Sequence, residues 1–450
     1  MIRTGLILWQ RSGYYFLLSI LTLASVVQTV YSASADNSTA TEDRTEYKDF
    51  VLLRDSIVNH ALDHNQKIKA AHSKIDAANA AVKQLSLDPP QIAVEFFSAP
   101  VKYFPSIFKD QMEIDYSVQQ MFPFPGKLSA MSNAEKKRVE MLSMEKRSAA
   151  QDFSLTASKA FNELYLIDRN SELNRAGLDL ITTIIAIARK HYENGMEKQT
   201  DLLRLQTEYS YLLSDSIAIV QNRLSINAMI NSYSSSLADD TIRFIPETEL
   251  PQEHISTYEN QFAIADSSLP ELHAMRLNSA MKSAELLASK KEFYPDIMVR
   301  GMYKQMIDEP DDWSLMLGLT IPFAPWSIDK YRGSMLKNQA LINDSDAEIA
   351  NMKAMVYGQI RDACAKARRY NDQALFLRNT VIPQAEQTLL AAIASYKSGD
   401  GNLLMILDIQ KMFLMTKKEY HMTVLNLLNA YSDLERATGT SGSMITLDRK

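Results

Sequence analysis

Cysteine is almost missing from this chain. Cys364 is the only one in 450 residues, so no disulfide can form within the chain and stability must come from packing or assembly. Glycine is scarce as well, at 13 residues, against a usual share of ~7%. Low glycine with abundant Ala, Leu, Lys and Glu favours long helices. After residue 35 no segment reaches ~18 consecutive apolar residues, which argues against a spanning helix. There is no basic excess either: the net charge is −6, and the footprint of a nucleic-acid-binding protein is missing. No H-E-x-x-H, P-loop or nucleophile-elbow motif occurs. An enzyme reading therefore has no supporting motif, and neither catalytic residues nor a cofactor is expected. His60 and His64 are spaced to share one helix face, but a pair of histidines is more often solvated surface than a metal site, so no metal ligands are expected.

What is present begins with an export signal. Arg3 and Arg11 precede an apolar run from Tyr14 to Val30, and the small residues Ser32, Ala33, Ser34 and Ala35 follow. That order predicts a secretory peptide over residues 1–35, cleaved after Ser32 or Ala35. An exported chain without a spanning helix is either soluble or a β-barrel membrane protein.

The strongest internal signal is a recurrence at an offset of 204 residues. Tyr192, Gly195, Leu203 and Gln206 return as Tyr396, Gly399, Leu407 and Gln410, and Ala188 and Ala392 extend the match. A period this long marks a duplicated domain rather than a solenoid. Each half reads helix, strand, strand, very long helix, turn, long helix. The expected division is a first repeat over 36–238, an inter-repeat segment over 239–252 containing Pro246 and Pro251, and a second repeat over 253–450. Strands are expected at Pro90–Phe97 and Met112–Met121, then at Asp296–Lys304 and Ser314–Ile321.

The strands alternate with period two. Met112, Ile114, Tyr116 and Val118 oppose Glu113, Asp115, Ser117 and Gln119; Ile297, Val299 and Tyr303 oppose Arg300 and Lys304; Leu315, Leu317 and Leu319 oppose Ser314, Met316 and Gly318. A soluble sheet packed on helices alternates in the same way, but these runs have the length of a tilted membrane strand, ~9–11 residues. Aromatics and prolines crowd the strand ends at Phe122–Pro125 and Pro322–Trp326, as at a membrane interface. Four strands cannot close a barrel, since about eight are needed even for a filled one, and open edges are not tolerated in hydrocarbon. A transmembrane reading therefore requires assembly, and three copies would supply twelve strands.

The helices are long. Lys127 to about Lys190 contains no proline and one glycine, Gly177, enough for ~96 Å of helix at 1.5 Å per residue. The second long helix runs from Asp329 to about Ser395, with a kink or break expected at Pro383. Returning helices are expected over Thr200–Leu237 and Asn402–Thr438, so the two hairpins span about 127–238 and 329–438. Met405, Met412, Met415 and Met422 lie on the second return at spacings of seven, three and seven. That is ordinary helix-packing spacing, although thioethers also suit Cu(I).

The duplicated turns HYENGMEKQTDLLRLQ and SYKSGDGNLLMILDIQ, the approach FYPDIMVRGMY and the corners FPFPGK and IPFAPW make the chain resemble the TolC-like outer-membrane efflux proteins. The resemblance implies a mainly α fold with a small β part. It also implies a homotrimer whose 12-stranded β-barrel sits in outer-membrane lipid and continues into a 12-helix periplasmic α-barrel. It implies a passive duct, docked on a periplasmic adaptor and an inner-membrane pump, that releases small toxic compounds; metal-ion or protein export are the neighbouring readings. A secreted coiled-coil protein without a channel is the reading from another class, and the charged strand faces argue against it. Carried over by register, Gly195 and Gly399 fall at the adaptor-docking tip, Tyr396 and Asp201 at a closing hydrogen bond, and Asp408 in a cation-selective ring. Some members carry an arginine two residues after the second glycine; here that residue is Gly401.

Overall fold

The structure, a computed structural model, describes residues 45–97, 102, 113–233, 257–306, 309–322, 324–398 and 401–440. The expected signal over 1–35, the segment 239–252 and Gly399 lie outside the described residues. Two units group by contact. One is Met1–Val51 with Pro246–Pro251, of which only the start of a helix is described; the other is Leu52–Ile245 with Gln252–Lys450.

The elements run in the order α1 (Thr45–His64), α2 (Gln66–Gln84), β1 (Gln91–Phe97), β2 (Glu113–Phe122), α3 (Lys127–Glu193), α4 (Gln199–Tyr233), α5 (Tyr258–Ser268), α6 (Pro270–Lys291), β3 (Ile297–Met306), β4 (Asp312–Leu319), α7 (Ile328–Phe376), a π turn (Leu377–Val381), α8 (Ile382–Lys397) and α9 (Leu403–Thr438). The chain is mostly helical, with one small sheet. Among the described residues no helix is long and apolar enough to cross a membrane.

Local chemistry accounts for the boundaries. The single helix expected before the first strand is split at Asn65, whose side chain accepts from the Lys67 and Ile68 amides and caps α2. Pro270 opens α6 at a position where its missing N–H has no partner to lose. Pro383 does not break the second long helix. The chain passes it through the π turn, whose wider winding leaves the proline at the start of α8.

The sheet has the order β1-β2-β3-β4, antiparallel throughout. β2 meets β3 across 175 or more residues of chain, so the sheet is built from both halves of the sequence. Asp296 fixes this junction. It accepts a hydrogen bond from the Phe124 amide at 2.9 Å, and its other oxygen pairs with Lys127 at 2.9 Å. It thereby ties the foot of β3 to the corner where β2 turns into α3. The Phe124 ring stacks on Tyr294 at 4.3 Å, with the Lys291 ammonium over both rings.

The 67-residue α3 packs on α2, α4, α6 and α9, and α7 packs on α6 and α9. Two apolar cores hold the helices. One, near the chain reversals, joins Ile181, Ile184 and Ala188 of α3 to Leu205 and Leu212 of α4, Tyr396 of α8, and Leu403, Ile406 and Leu407 of α9. The other joins Leu269 and Leu272 to Val356, Ile360 and Cys364 of α7 and Leu434 of α9. Beside it Arg436 pairs with Glu271 and Asp152, and Ser148 donates to Glu271 at 2.7 Å. Burial alone would raise the Glu271 carboxyl, but Arg436 and Ser148 hold it below its ordinary value.

Candidate functional site

The sheet inverts the usual arrangement of a soluble protein. In β2 the buried residues are Asp115, 1% exposed, and Ser117, while the alternating Tyr116 and Val118 are exposed. The face on which Asp115 and Ser117 lie carries charge in cross-strand register. Lys304 of β3 lies 2.5 Å from Glu113 and 3.6 Å from Asp115; Arg300 lies 3.7 Å from Glu95 of β1 and donates to the Ser117 hydroxyl at 3.3 Å. Such opposite-charge pairs across neighbouring strands favour this register. The other face is apolar and open to its surroundings, with Ile92, Leu315, Leu317 and Leu319 exposed and Trp313 80% exposed. A soluble sheet would bury that face and wet the charged one. Among the described residues β1 and β4 each pair on one side only, leaving two edges of unpaired backbone groups.

The second region is the tip, where each long helix reverses. At Gly195 the backbone is left-handed, φ +71°, and the Met196 amide bonds the His191 carbonyl at 2.9 Å, a helix stop that glycine allows without steric cost. The matching glycine of the second turn, Gly399, lies outside the described residues. Tyr396 is 1% exposed and packs beside the His191 ring at 4.8 Å. Its hydroxyl donates to Glu197 at 3.0 Å. This corrects the expectation that Asp201 accepts that bond: Asp201 acts on Tyr396 only as a nearby charge, because Glu197 stands closer on the same turn. Burial first, then the bond to Glu197 and its charge, then Asp201, push the Tyr396 phenol up from its ordinary value.

Gly401 explains its own presence. A Cβ there would stand 2.6 Å from the Tyr396 backbone nitrogen and 2.7 Å from its Cα. An arginine at this position would have to displace the Tyr396 backbone.

Asp408 directly follows the buried Leu407 on α9 and is exposed. The four methionines expected in helix packing are exposed too: Met405, Met412, Met415 and Met422. Their spacing does form one stripe, but α9 turns its Leu403, Ile406, Leu407 and Gln410 face to the chain's own core and leaves the thioethers outside. His60 and His64 come together, ring centroids 4.5 Å apart, but His64 Nδ1 lies on the His60 carbonyl. Among the described residues no group of three or more His, Cys, Asp or Glu side chains is placed to hold a metal. Sequence reasoning passed over Glu197, whose place within the repeated turn was its one available signal. It also passed over His421, which is half-buried between helices with Nδ1 3.2 Å from the Tyr165 hydroxyl. Burial, then Arg169 and Lys417, push its imidazole down to about 4.

Comparison with known proteins agrees with this architecture. Residues 57–227 match the family model described as outer membrane efflux protein. No curated protein sequence gives a match. The fold is similar to that of the Vibrio cholerae outer membrane protein VceC, at 16% identity and a TM-score of 0.72, covering 88% of this chain and 98% of that one. It is similar to the Campylobacter jejuni CmeC outer membrane channel, at 14% identity and 0.70, covering 90% of each. It is also similar to the open-state MtrE outer membrane channel of Neisseria gonorrhoeae, at 11% identity and 0.71, covering 86% of this chain and 89% of that one. The family match thus covers residues 57–227, and the chain has the fold of these outer-membrane channels over most of its length.

Proposed function

We propose that three copies of this chain form a passive exit duct that carries small toxic compounds across the outer membrane. The tip docks on a periplasmic adaptor joined to an inner-membrane pump. In this reading 36–238 and 253–450 are two structural repeats joined by 239–252, Gly195 and Gly399 sit at the docking tip, and Tyr396 latches it closed. The carrying observation is the four-stranded sheet with Asp115 and Ser117 buried on its charged face, its apolar face exposed and, among the described residues, both edges unpaired. An open edge in hydrocarbon costs several kcal/mol for each unmatched backbone group. Joining the edges of three sheets removes that cost and encloses the charged face around water. The reading assigns the protein no bond-making or bond-breaking step.

Chemical cross-linking and mass measurement of the detergent-solubilised protein test this. A trimer is expected; a stable, monodisperse monomer overturns the reading.

A second reading, export of soft metal ions, has its own observation. Met405, Met412, Met415 and Met422 present exposed thioethers along the helix face that also carries Asp408, and thioethers suit Cu(I). Growth of a deletion strain on silver or copper against growth on dyes and detergents separates the two cargoes.

A further inference from the structure

We infer that the exposed face of the sheet carries a specific site for one acyl chain of a membrane lipid, laid over Gly301. The inference rests on the transmembrane reading of the sheet.

The register shows how the site is made. Ile92, Val118, Gly301 and Leu315 lie side by side across the four strands, and the next row toward the β3–β4 loop is Val94, Tyr116, Tyr303 and Trp313. Gly301 leaves a gap in the first row, with nothing within 4 Å of where a Cβ would stand. The second row is tall and aromatic, with the Tyr116 and Tyr303 rings 6.3 Å apart. Over the two rows lies an open groove of about 440 Å³, lined by Ile92, Val118, Leu315, Tyr116, Tyr303 and Trp313. That volume falls in the range of small-molecule pockets, roughly 300–1,000 Å³.

The chemistry selects the occupant. None of the lining side chains is charged. The charged groups of β2 and β3 sit on the opposite face, where Asp115 and Ser117 are buried. The gap is one residue wide between strands ~4.8 Å apart, whereas a docked helix needs ~10–12 Å. A partner strand would join the unpaired edges rather than cross this face. An acyl chain is narrow enough and apolar throughout. The Trp313 indole and the Tyr116 hydroxyl give the row polar tips of the kind that sit at headgroup level.

The test uses the delipidated, detergent-solubilised full chain, titrated with dioleoylphosphatidylethanolamine and read by native mass spectrometry. Binding is expected to saturate at one lipid per chain. Gly301→Leu fills the gap and is expected to weaken binding at least tenfold, while Gly333→Leu, on exposed α7 with equally open space at its Cβ, binds as the unaltered protein does. Trp313→Ala removes a wall and is expected to weaken binding several-fold, and it carries the same test should Gly301→Leu fail to assemble. Lipid occupancy unchanged in either variant, or binding that never saturates, overturns the inference. Flotation with vesicles keeps the two readings apart: a chain that does not float sinks the transmembrane reading, whereas one that floats with unchanged occupancy sinks only the lipid site.

Discussion

The two hairpins repeat the same residues in opposite surroundings. Tyr192 is exposed and Tyr396 is buried; Leu203 is exposed and Leu407 is buried. At the same offset Leu224 of α4 is 49% exposed, while Leu428 of α9 is 3% exposed. The reason lies in the neighbours. α9 packs on α3, α5, α7 and α8, whereas the main partner of α4 in this chain is α3. α4 therefore leaves Tyr211, Ile217, Val220 and Leu224 uncovered, a patch of the kind that marks an interface. One half of the repeat packs within the chain, and in the proposed assembly the other half is left for a second copy.

The sharpest way to break this contrast is a glutamate at the paired leucines. Leu428→Glu places a charge in a filled core and is expected to abolish folding, seen as loss of the protein from membranes. Leu224→Glu is expected to leave the chain folded but to stop assembly, seen as a shift from trimer to monomer in detergent. A Leu224→Glu chain that still assembles would show that the α4 face is not an interface.

The paired tyrosines come next. Tyr396→Phe keeps the ring and loses the bond to Glu197, worth roughly 1.5–3 kcal/mol for a shielded charged acceptor. Since about 1.4 kcal/mol is tenfold in a population, single-channel recordings should show the open fraction rising about tenfold or more. Glu197→Gln should move it the same way by less, and Tyr192→Phe should leave it unchanged. Gly401→Arg should open the tip as well, by pushing the Tyr396 backbone aside. If Tyr396→Phe and Tyr192→Phe behave alike, the buried latch has no part in gating.

Opposite charges occupy the next recurring position, Arg204 and Asp408, both exposed. If the second hairpin alone lines the constriction, Asp408→Asn should lower cation selectivity in a planar bilayer while Arg204→Gln leaves it unchanged. Equal effects would place both hairpins at the pore.

The smallest effect is expected at His421, whose counterpart at the same offset is the exposed Ile217. Its folded value of about 4 lies below the ordinary ~6.5, so the unfolded chain takes up the proton first as pH falls. Stability is expected to drop between about pH 6.5 and 4 through this group. His421→Leu should remove that part of the slope in melting temperature and leave the rest.

Much of this was legible in the sequence. The strands were readable because side chains alternate with an exact period, so Glu113, Asp115 and Lys304 declared their common face before any register was known. The long helices were readable from missing proline and glycine. The tip was harder. Glu197 and Asp201 are both acids on one turn, and only the position of the Tyr396 hydroxyl chooses between them. The methionine stripe had a packing period but sits outside, because spacing fixes which residues share a face and not what the face meets. At Pro383 the sequence signals a disruption without saying which kind, and the π turn takes it up without ending the helix. The short α5 fell within a region read only as the start of the second repeat.

The bond from Phe124 to Asp296 spans 172 residues of sequence, and that separation has a meaning during synthesis. The corner between the first strand pair and α3 lacks its acceptor and its counter-ion until the second half of the chain has been made. The first half thus emerges with an incomplete hinge and with β2 lacking its β3 neighbour. It cannot present a finished sheet to a membrane ahead of the rest. The corner and the sheet are thus completed together, when β3 and Asp296 arrive.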